Sequence, residues 1–328
     1  MHYRTLGTTD ISMSEVGFGL WTVSTDWWGT DQTQGIRLLQ QAFEMGVTFY
    51  DTADTYGNGR GEEILAEALG THRDQITIAT KFGYDIVHAD AIRDGHGELP
   101  HDWSPAAVRA ACEASLRRLG TDHIDFYQLH NPRLDAIEND ALWATLDELR
   151  TAGKIRAAGV ALGPALKPDR QIEEGQATIL QRNAHPHIIC NMIEPVLGDA
   201  LFALGATHDV GFVIRVPHSS GLLEGHFTAE TTFEKSDHRS HRPHSWLIEG
   251  VQKVAQLRFL ERPNRTLGQA ALQWLLLEPA VTSILPNIYD ADQLAEFVAV
   301  TDAPPLTASE IAQVHALIDA NFGLPVGA

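Results

Sequence analysis

Cysteine is scarce in this 328-residue chain, with only Cys112 and Cys190, far apart and in no Cys-x-x-Cys pair. Two isolated thiols exclude a disulfide scaffold and a cysteine-based zinc site, and they fit a reducing compartment. Positive charge is scarce as well: 24 Lys and Arg stand against 43 Asp and Glu, a formal net charge of -19. That balance repels nucleic-acid backbones and anionic lipid surfaces, so neither is expected as a partner. No apolar run approaches the roughly 20 residues of a spanning helix. The start, Met1 to Gly7, lacks a hydrophobic signal core, so a cytoplasmic protein is expected.

What is present is the material of a large globular fold, with 44% apolar and 20% charged residues. Short β-branched or apolar runs alternate with longer amphipathic stretches, the pattern of parallel βα units. About eight units recur, with strands ending near Gly19, Asp51, Lys81, His130, Val160, Asn191, Arg215 and Leu285. Helices are expected over 31–45, 61–70 and 105–119. With no linker or shift of composition, the pattern predicts one (β/α)8 TIM barrel over residues 1–328. Residues 3–13, with the turn Gly7-Thr8-Thr9-Asp10, predict an N-terminal hairpin on the barrel floor. Residues 307–322 predict a closing C-terminal helix, with Thr307 and Glu310 spaced as a capping box. The stretch 217–245 is too polar for a core element and predicts a long loop that is functional or mobile.

Active sites of such barrels lie at the carboxyl ends of the strands. Three apolar runs there end in Asp51, Lys81 and His130, and Tyr56 follows Asp51 in the next loop. A lysine ammonium beside a phenol favours the phenolate, and a carboxylate holds the lysine charged. Tyr56 then becomes a usable general acid, and His130 could bond a substrate oxygen or relay a proton. The plainer alternative is a structural Asp51–Lys81 ion pair and a satisfied buried histidine. Trp21, Trp27 and Trp28 follow the first strand and could wall a substrate pocket with Tyr56 and His130, or merely pack the rim. The stretch 82–103, with His88, Asp90, Arg93, Asp94, His96 and His101, could contact a polar, sugar-like substrate or simply be solvated. His218, His226, His238, His241 and His244 lie in the loop after strand seven. With no fixed ligand spacing they read as a solvated loop, and no metal is expected.

The run Gly46-Val47-Thr48-Phe49-Tyr50-Asp51-Thr52-Ala53-Asp54-Thr55-Tyr56-Gly57 resembles the aldo-keto reductase family. So do Ile78-Ala79-Thr80-Lys81 and Tyr127-Gln128-Leu129-His130, and the likeness extends over the whole chain. The resemblance implies an oxidoreductase with a tetrad of Asp51, Tyr56, Lys81 and His130. Tyr56 would be the proton donor, and NADH or NADPH would exchange hydride with a carbonyl or alcohol. It also implies cofactor contacts at Gly19, Leu20, Asp51, Pro217, Ser219, Ser220, Gly221, Leu222, Pro286, Asn287, Tyr289 and Gln293.

Four cofactor positions depart from the family pattern. The Ser-Asn pair after strand five reads Ala161-Leu162, the strand-six Gln falls at His187, and the stacking aromatic of strand seven falls at Arg215. A fixed guanidinium charge disfavours the cationic oxidised nicotinamide. Two readings stay open here: a subgroup that orients nicotinamide differently, or a tetrad used for redox-neutral elimination or epimerisation. A non-catalytic regulatory barrel is a third, which the intact tetrad opposes. Between Thr266 and Ala328 there is no Lys or Arg, and Tyr289 stands where an NADPH-binding member carries a cation. NADH is therefore favoured, unless Arg239 or Arg242 reaches across from another loop.

Overall fold

The computed structural model describes residues 1–25, 31–86, 98–163, 167–235 and 237–325. A short antiparallel hairpin, β1 (Tyr3–Thr5) and β2 (Ser12–Ser14), precedes eight parallel strands. These are β3 (Phe18–Gly19), β4 (Phe49–Asp51), β5 (Thr77–Phe82), β6 (Ile124–His130), β7 (Ile155–Ala161), β8 (His185–Ile189), β9 (Phe212–Arg215) and β10 (Val281–Leu285). They lie side by side in chain order from β3 to β10. The first and last meet where Val16 pairs with Ile284 and Gly17 N–H donates to the Ile284 carbonyl at 2.9 Å. The (β/α)8 barrel is therefore as expected, with helices between the strands.

Alternation along each strand sorts its side chains between barrel interior and helix layer. Phe49, Ala79, Phe126, Ala157, Val213 and Leu285 point to one interior cluster, which Leu6, Ile11 and Met13 of the hairpin seal from below. The same alternation brings Asp51, Lys81, Gln128 and Arg215 inward two residues further along their strands. The floor is thus apolar and the layer above it polar. Gly7 allows the hairpin to sit this close: its φ is +53°, and a Cβ there would meet the Asp209 carbonyl at 2.4 Å.

Local signals set the helix boundaries. Asp31 caps the helix Gln32–Glu44, Ser104 caps Pro105–Leu119, and Gly120, at φ +63°, ends the latter. Thr307 and Glu310 form the expected capping box of Ala308–Asp319. Two expectations need correction. The sixth barrel strand stops at Ile189, because the Asn191 side chain turns back to accept from the Ile193 and Glu194 N–H groups at 3.1 and 2.9 Å. The stretch after strand seven is not solvated throughout, since His218, Ser219, Ser220, Leu222 and Leu223 are buried. Its end also differs, as a helix begins at His244 and runs to Leu257.

The floor cluster gives a stability test. Ile11→Ala removes a fully buried side chain from a packed layer, which typically costs about 2–5 kcal/mol. Urea unfolding is expected to show a lower midpoint for this variant with an unchanged slope.

Candidate active site

Lys81 ends inside the barrel with no exposed surface, so each of its three ammonium protons needs a partner. It has three acceptors: Asp51 Oδ1 at 2.5 Å, the Thr52 carbonyl at 2.7 Å and the Tyr56 hydroxyl at 3.2 Å. Because the phenol oxygen accepts from Lys81, its own O–H is free to turn elsewhere. The short loop from Asp51 to Tyr56 delivers the ring, which Trp21 meets edge-on at 5.0 Å. The imidazole of His130 stands 6.0 Å from the same ring, centroid to centroid, and its Nδ1 lies 3.4 Å from Thr55 Oγ1. Burial and the charges of Lys81 and Arg215 hold the His130 pKa well below the usual histidine range. The imidazole is therefore neutral near pH 7. The four residues singled out in the sequence form one cluster. Trp27, Trp28, His88, Asp90, Arg93, Asp94 and His96 lie outside the described residues.

A second wall comes from the segment before the helix Pro105–Leu119. His101 stacks on Tyr84 at 4.1 Å and lies within hydrogen-bond distance of the His130 carbonyl, Nε2 to O 3.0 Å. Tyr84 in turn meets the His130 ring edge-on at 5.1 Å and donates to Glu98. One residue with no role in the sequence reading also belongs to the cluster. Gln128 donates to Asp51 Oδ2 at 3.0 Å, and its carbonyl oxygen lies 3.0 Å from His187 Nδ1. The signal was present in the run Ile124–His130, where alternation places Gln128 on the same face as His130.

The cofactor candidates fall into three groups. At the barrel centre, Ala161 and Leu162 are fully buried, and the Leu162 carbonyl accepts a bond from Arg215. The Arg215 guanidinium feels both Tyr56 and Asp51, and burial lowers its pKa. His187 is held neutral by burial together with Lys81 and Arg215. Next, Val216 just before Pro217, and Ser219, Ser220 and Gly221 just beyond it, take positive φ, from +48° to +99°. The run closes a tight turn, in which the Ser219, Gly221 and Leu222 N–H groups donate to the Val216, His218 and Ser219 carbonyls at 3.0, 3.1 and 3.3 Å. Leu222, at the end of this run, is buried. Gly19 adds an open approach, as the nearest atom to a Cβ there would be 4.0 Å away. Leu20 instead serves the strand end, its N–H donating to the Asp51 carbonyl at 2.8 Å.

The third group lies around the start of the helix Ala291–Val298, past Pro286 and Asn287. Gln293 joins Tyr289 N–H to Glu224 Oε2, at 3.2 and 3.0 Å. Burial pushes the Glu224 carboxyl up to about 7. Of the two arginines that could reach this corner from another loop, Arg239 comes near it. Arg239 acts electrostatically on Tyr289 and Glu224, and its Nη1 would lie 3.4 Å from a Cβ on Gly221. It is bound by Asp237 at 2.5 to 3.1 Å through two nitrogens. Arg242 lies over the Trp246 ring at 5.3 Å instead.

The histidine-rich stretch divides as well. His226 and His244 are exposed, whereas His218 is a core histidine, packed on Phe297 at 4.5 Å with Nε2 3.0 Å from the Gly268 carbonyl. Among the described residues no group of three or more His, Cys, Asp or Glu could hold a metal ion. Among them, too, no helix is long and apolar enough to cross a membrane.

Comparison with known proteins agrees with this geometry. The chain is 30% identical over 316 residues to the uncharacterized oxidoreductase YqkF of Bacillus subtilis, covering 95% of this chain and 94% of that one. It is 30% identical over 312 residues to the NADH-specific methylglyoxal reductase of Escherichia coli, covering 90% and 91%. Among solved structures, the glycerol dehydrogenase AKR11B4 from Gluconobacter oxydans superposes with a TM-score of 0.80 at 26% identity, over 99% of this chain and 97% of that one. The sequence profile of the Aldo/keto reductase family matches residues 15–319, and the chain belongs to that family.

Proposed function

We propose that the protein is a cytoplasmic oxidoreductase that interconverts a small carbonyl or sugar-like substrate and its alcohol, with Tyr56 as general acid and base. The observation that carries this reading is the Lys81 ammonium with its three acceptors, one of them the Tyr56 oxygen. Members of the family use nicotinamide nucleotides, and this chain has features that fit one. Buried polar atoms on His187 and Arg215 at the barrel centre have no partner among the described residues and could meet a polar ligand group there. When bound, the reduced nucleotide supplies a hydride to the carbonyl carbon.

The chain's own residues handle the proton. In reduction, Tyr56 O–H passes its proton to the carbonyl oxygen as negative charge builds there. The adjacent ammonium stabilises the phenolate that remains, and Asp51 keeps the ammonium in place. Neutral His130, at the other side of the Tyr56 ring, directs the substrate oxygen by hydrogen bonding. Trp21 and Tyr84 line the approach and exclude water. In alcohol oxidation each proton movement reverses.

Tyr56→Phe, which removes only the hydroxyl, is expected to lower kcat about 10²- to 10⁴-fold while the protein still folds, with a lower melting temperature because one Lys81 proton loses its acceptor. Lys81→Met is expected to lower both rate and stability. It leaves Asp51 buried without its cation, which can cost about 3–5 kcal/mol. The rate falls because the charge that stabilises the phenolate left after proton transfer is gone. A pH–rate profile and a thermal melt of each variant check both outcomes, and wild-type rates in Tyr56→Phe would contradict the assignment.

For the nucleotide, we propose that NADH binds at least as tightly as NADPH. Arg239, the cation beside Tyr289 among the described residues, is already engaged by Asp237, and the carboxylates Glu224, Asp290 and Glu296 surround the same corner. An extra phosphate would meet net negative charge. The relative's NADH specificity supports the same preference. Glu224 gains its charge as pH rises through about 7, so discrimination against NADPH should grow over that range. Glu224→Gln should flatten the change. Calorimetric titration of oxidised and reduced forms of both nucleotides, below and above this pH, tests the proposal. Arg215 is expected to weaken the oxidised forms more than the reduced ones, and a clear NADPH preference at all pH values would contradict the assignment.

A further inference from the structure

His187 Nε2 is buried and has no hydrogen-bond partner among the described residues. Whether that nitrogen donates or accepts follows from a chain of bonds beginning at Lys81. The ammonium keeps Asp51 ionised, so both carboxylate oxygens can only accept. The Gln128 atom 3.0 Å from Asp51 Oδ2 must then be its NH2 nitrogen, which turns the amide oxygen toward His187. That oxygen also only accepts. His187 Nδ1, 3.0 Å from it, must therefore carry the proton, and Nε2 is left as a bare lone pair. The Asp51 carboxylate, 3.8 Å from Nδ1, favours the same tautomer.

We propose that Gln128 is a positioning residue that fixes His187 as the Nδ1–H tautomer, so that Nε2 accepts a hydrogen bond from an amide N–H of the bound ligand. This rests on the oxidoreductase reading, in which the amide is the carboxamide of nicotinamide. The family resemblance implies a glutamine at position 187, and an amide side chain could turn either its donor or its acceptor to the ligand. An imidazole with Nδ1 engaged can only accept. Gln128 thereby ties the recognition of the carboxamide NH2 group to the ionised state of the Asp51–Lys81 pair. It also supplies polarity that Ala161 and Leu162 cannot, since the Leu162 carbonyl is taken by Arg215.

The first test needs no ligand. Nitrogen-15 spectra of histidine-labelled protein, with the His187 signal identified by its loss in His187→Gln, are expected to show a protonated Nδ1 and an unprotonated Nε2. A protonated Nε2 in the wild-type protein would overturn the inference. The second test compares binding of NADH with its reduced 3-acetylpyridine analogue, which keeps the carbonyl but has no amide N–H, by quenching of tryptophan fluorescence. Wild type should favour NADH by about tenfold, the range of one buried neutral hydrogen bond. Gln128→Leu should shrink that ratio to about twofold or less. A purely structural role would weaken both nucleotides alike and leave the ratio intact, which contradicts the inference. Failure of both nucleotides to bind wild type withdraws the oxidoreductase reading itself, a result distinct from equal binding of the two.

Discussion

A charged ammonium inside a barrel is the constraint on which the rest of the site depends. Lys81 is fully buried, and desolvating such a group is costly unless a counter-ion and further acceptors surround it. Asp51 from the neighbouring strand supplies the counter-ion, and the loop after it supplies the Thr52 carbonyl and Tyr56. Asp51 must in turn have its second oxygen satisfied, and Gln128 does this from the next strand along. Each residue of the cluster thus settles the hydrogen-bonding role of the one after it. The Tyr56 proton is left uncommitted by this sequence of requirements, since its oxygen accepts from Lys81.

The barrel separates this polar layer from water on one side and from apolar packing on the other. The hairpin seals the floor with Leu6, Ile11 and Met13, so solvent has no route to the ion pair from below. Along the proposed cofactor path the sign of charge changes. Near the chemistry, Lys81 and Arg215 outnumber Asp51, whereas at the far corner Glu224, Asp237, Asp290 and Glu296 outnumber Arg239. The first imbalance disfavours a cationic oxidised ring, and the second disfavours an added phosphate. Arg215 in the first and Tyr289 in the second stand where the family resemblance implies other residue types, so both departures bear on the proposed nucleotide site.

Much of this was legible in the sequence because the signals are local. The strand ends at Asp51, Arg215 and Leu285, the helix Pro105–Leu119 and the Thr307–Glu310 capping box follow from periodicity, Pro and Gly positions and capping chemistry. Asp51, Lys81 and His130 stood out because each closes an apolar run with a polar group, and Tyr56 because it follows Asp51 in the next loop. What was hidden depends on pairing between distant segments. Gln128 reads as one polar residue in a strand until Asp51 and His187 are seen on either side of it. Arg239 and Arg242 stand as equal candidates in the sequence until the chain brings the first beside Tyr289 and lays the second over Trp246. His218, within a polar stretch, is buried because Phe297 comes from a helix about 80 residues later, which no local pattern could report.

The most direct measurement of the central claim is isotope transfer. Reduced nicotinamide nucleotide carrying deuterium at the transferable position is incubated with the enzyme and an aldehyde such as methylglyoxal, and the product is analysed by mass spectrometry. The account predicts deuterium on the carbinol carbon and stoichiometric oxidation of the nucleotide. A product formed without deuterium, with the nucleotide unchanged, would show that the same four residues serve redox-neutral proton transfer instead.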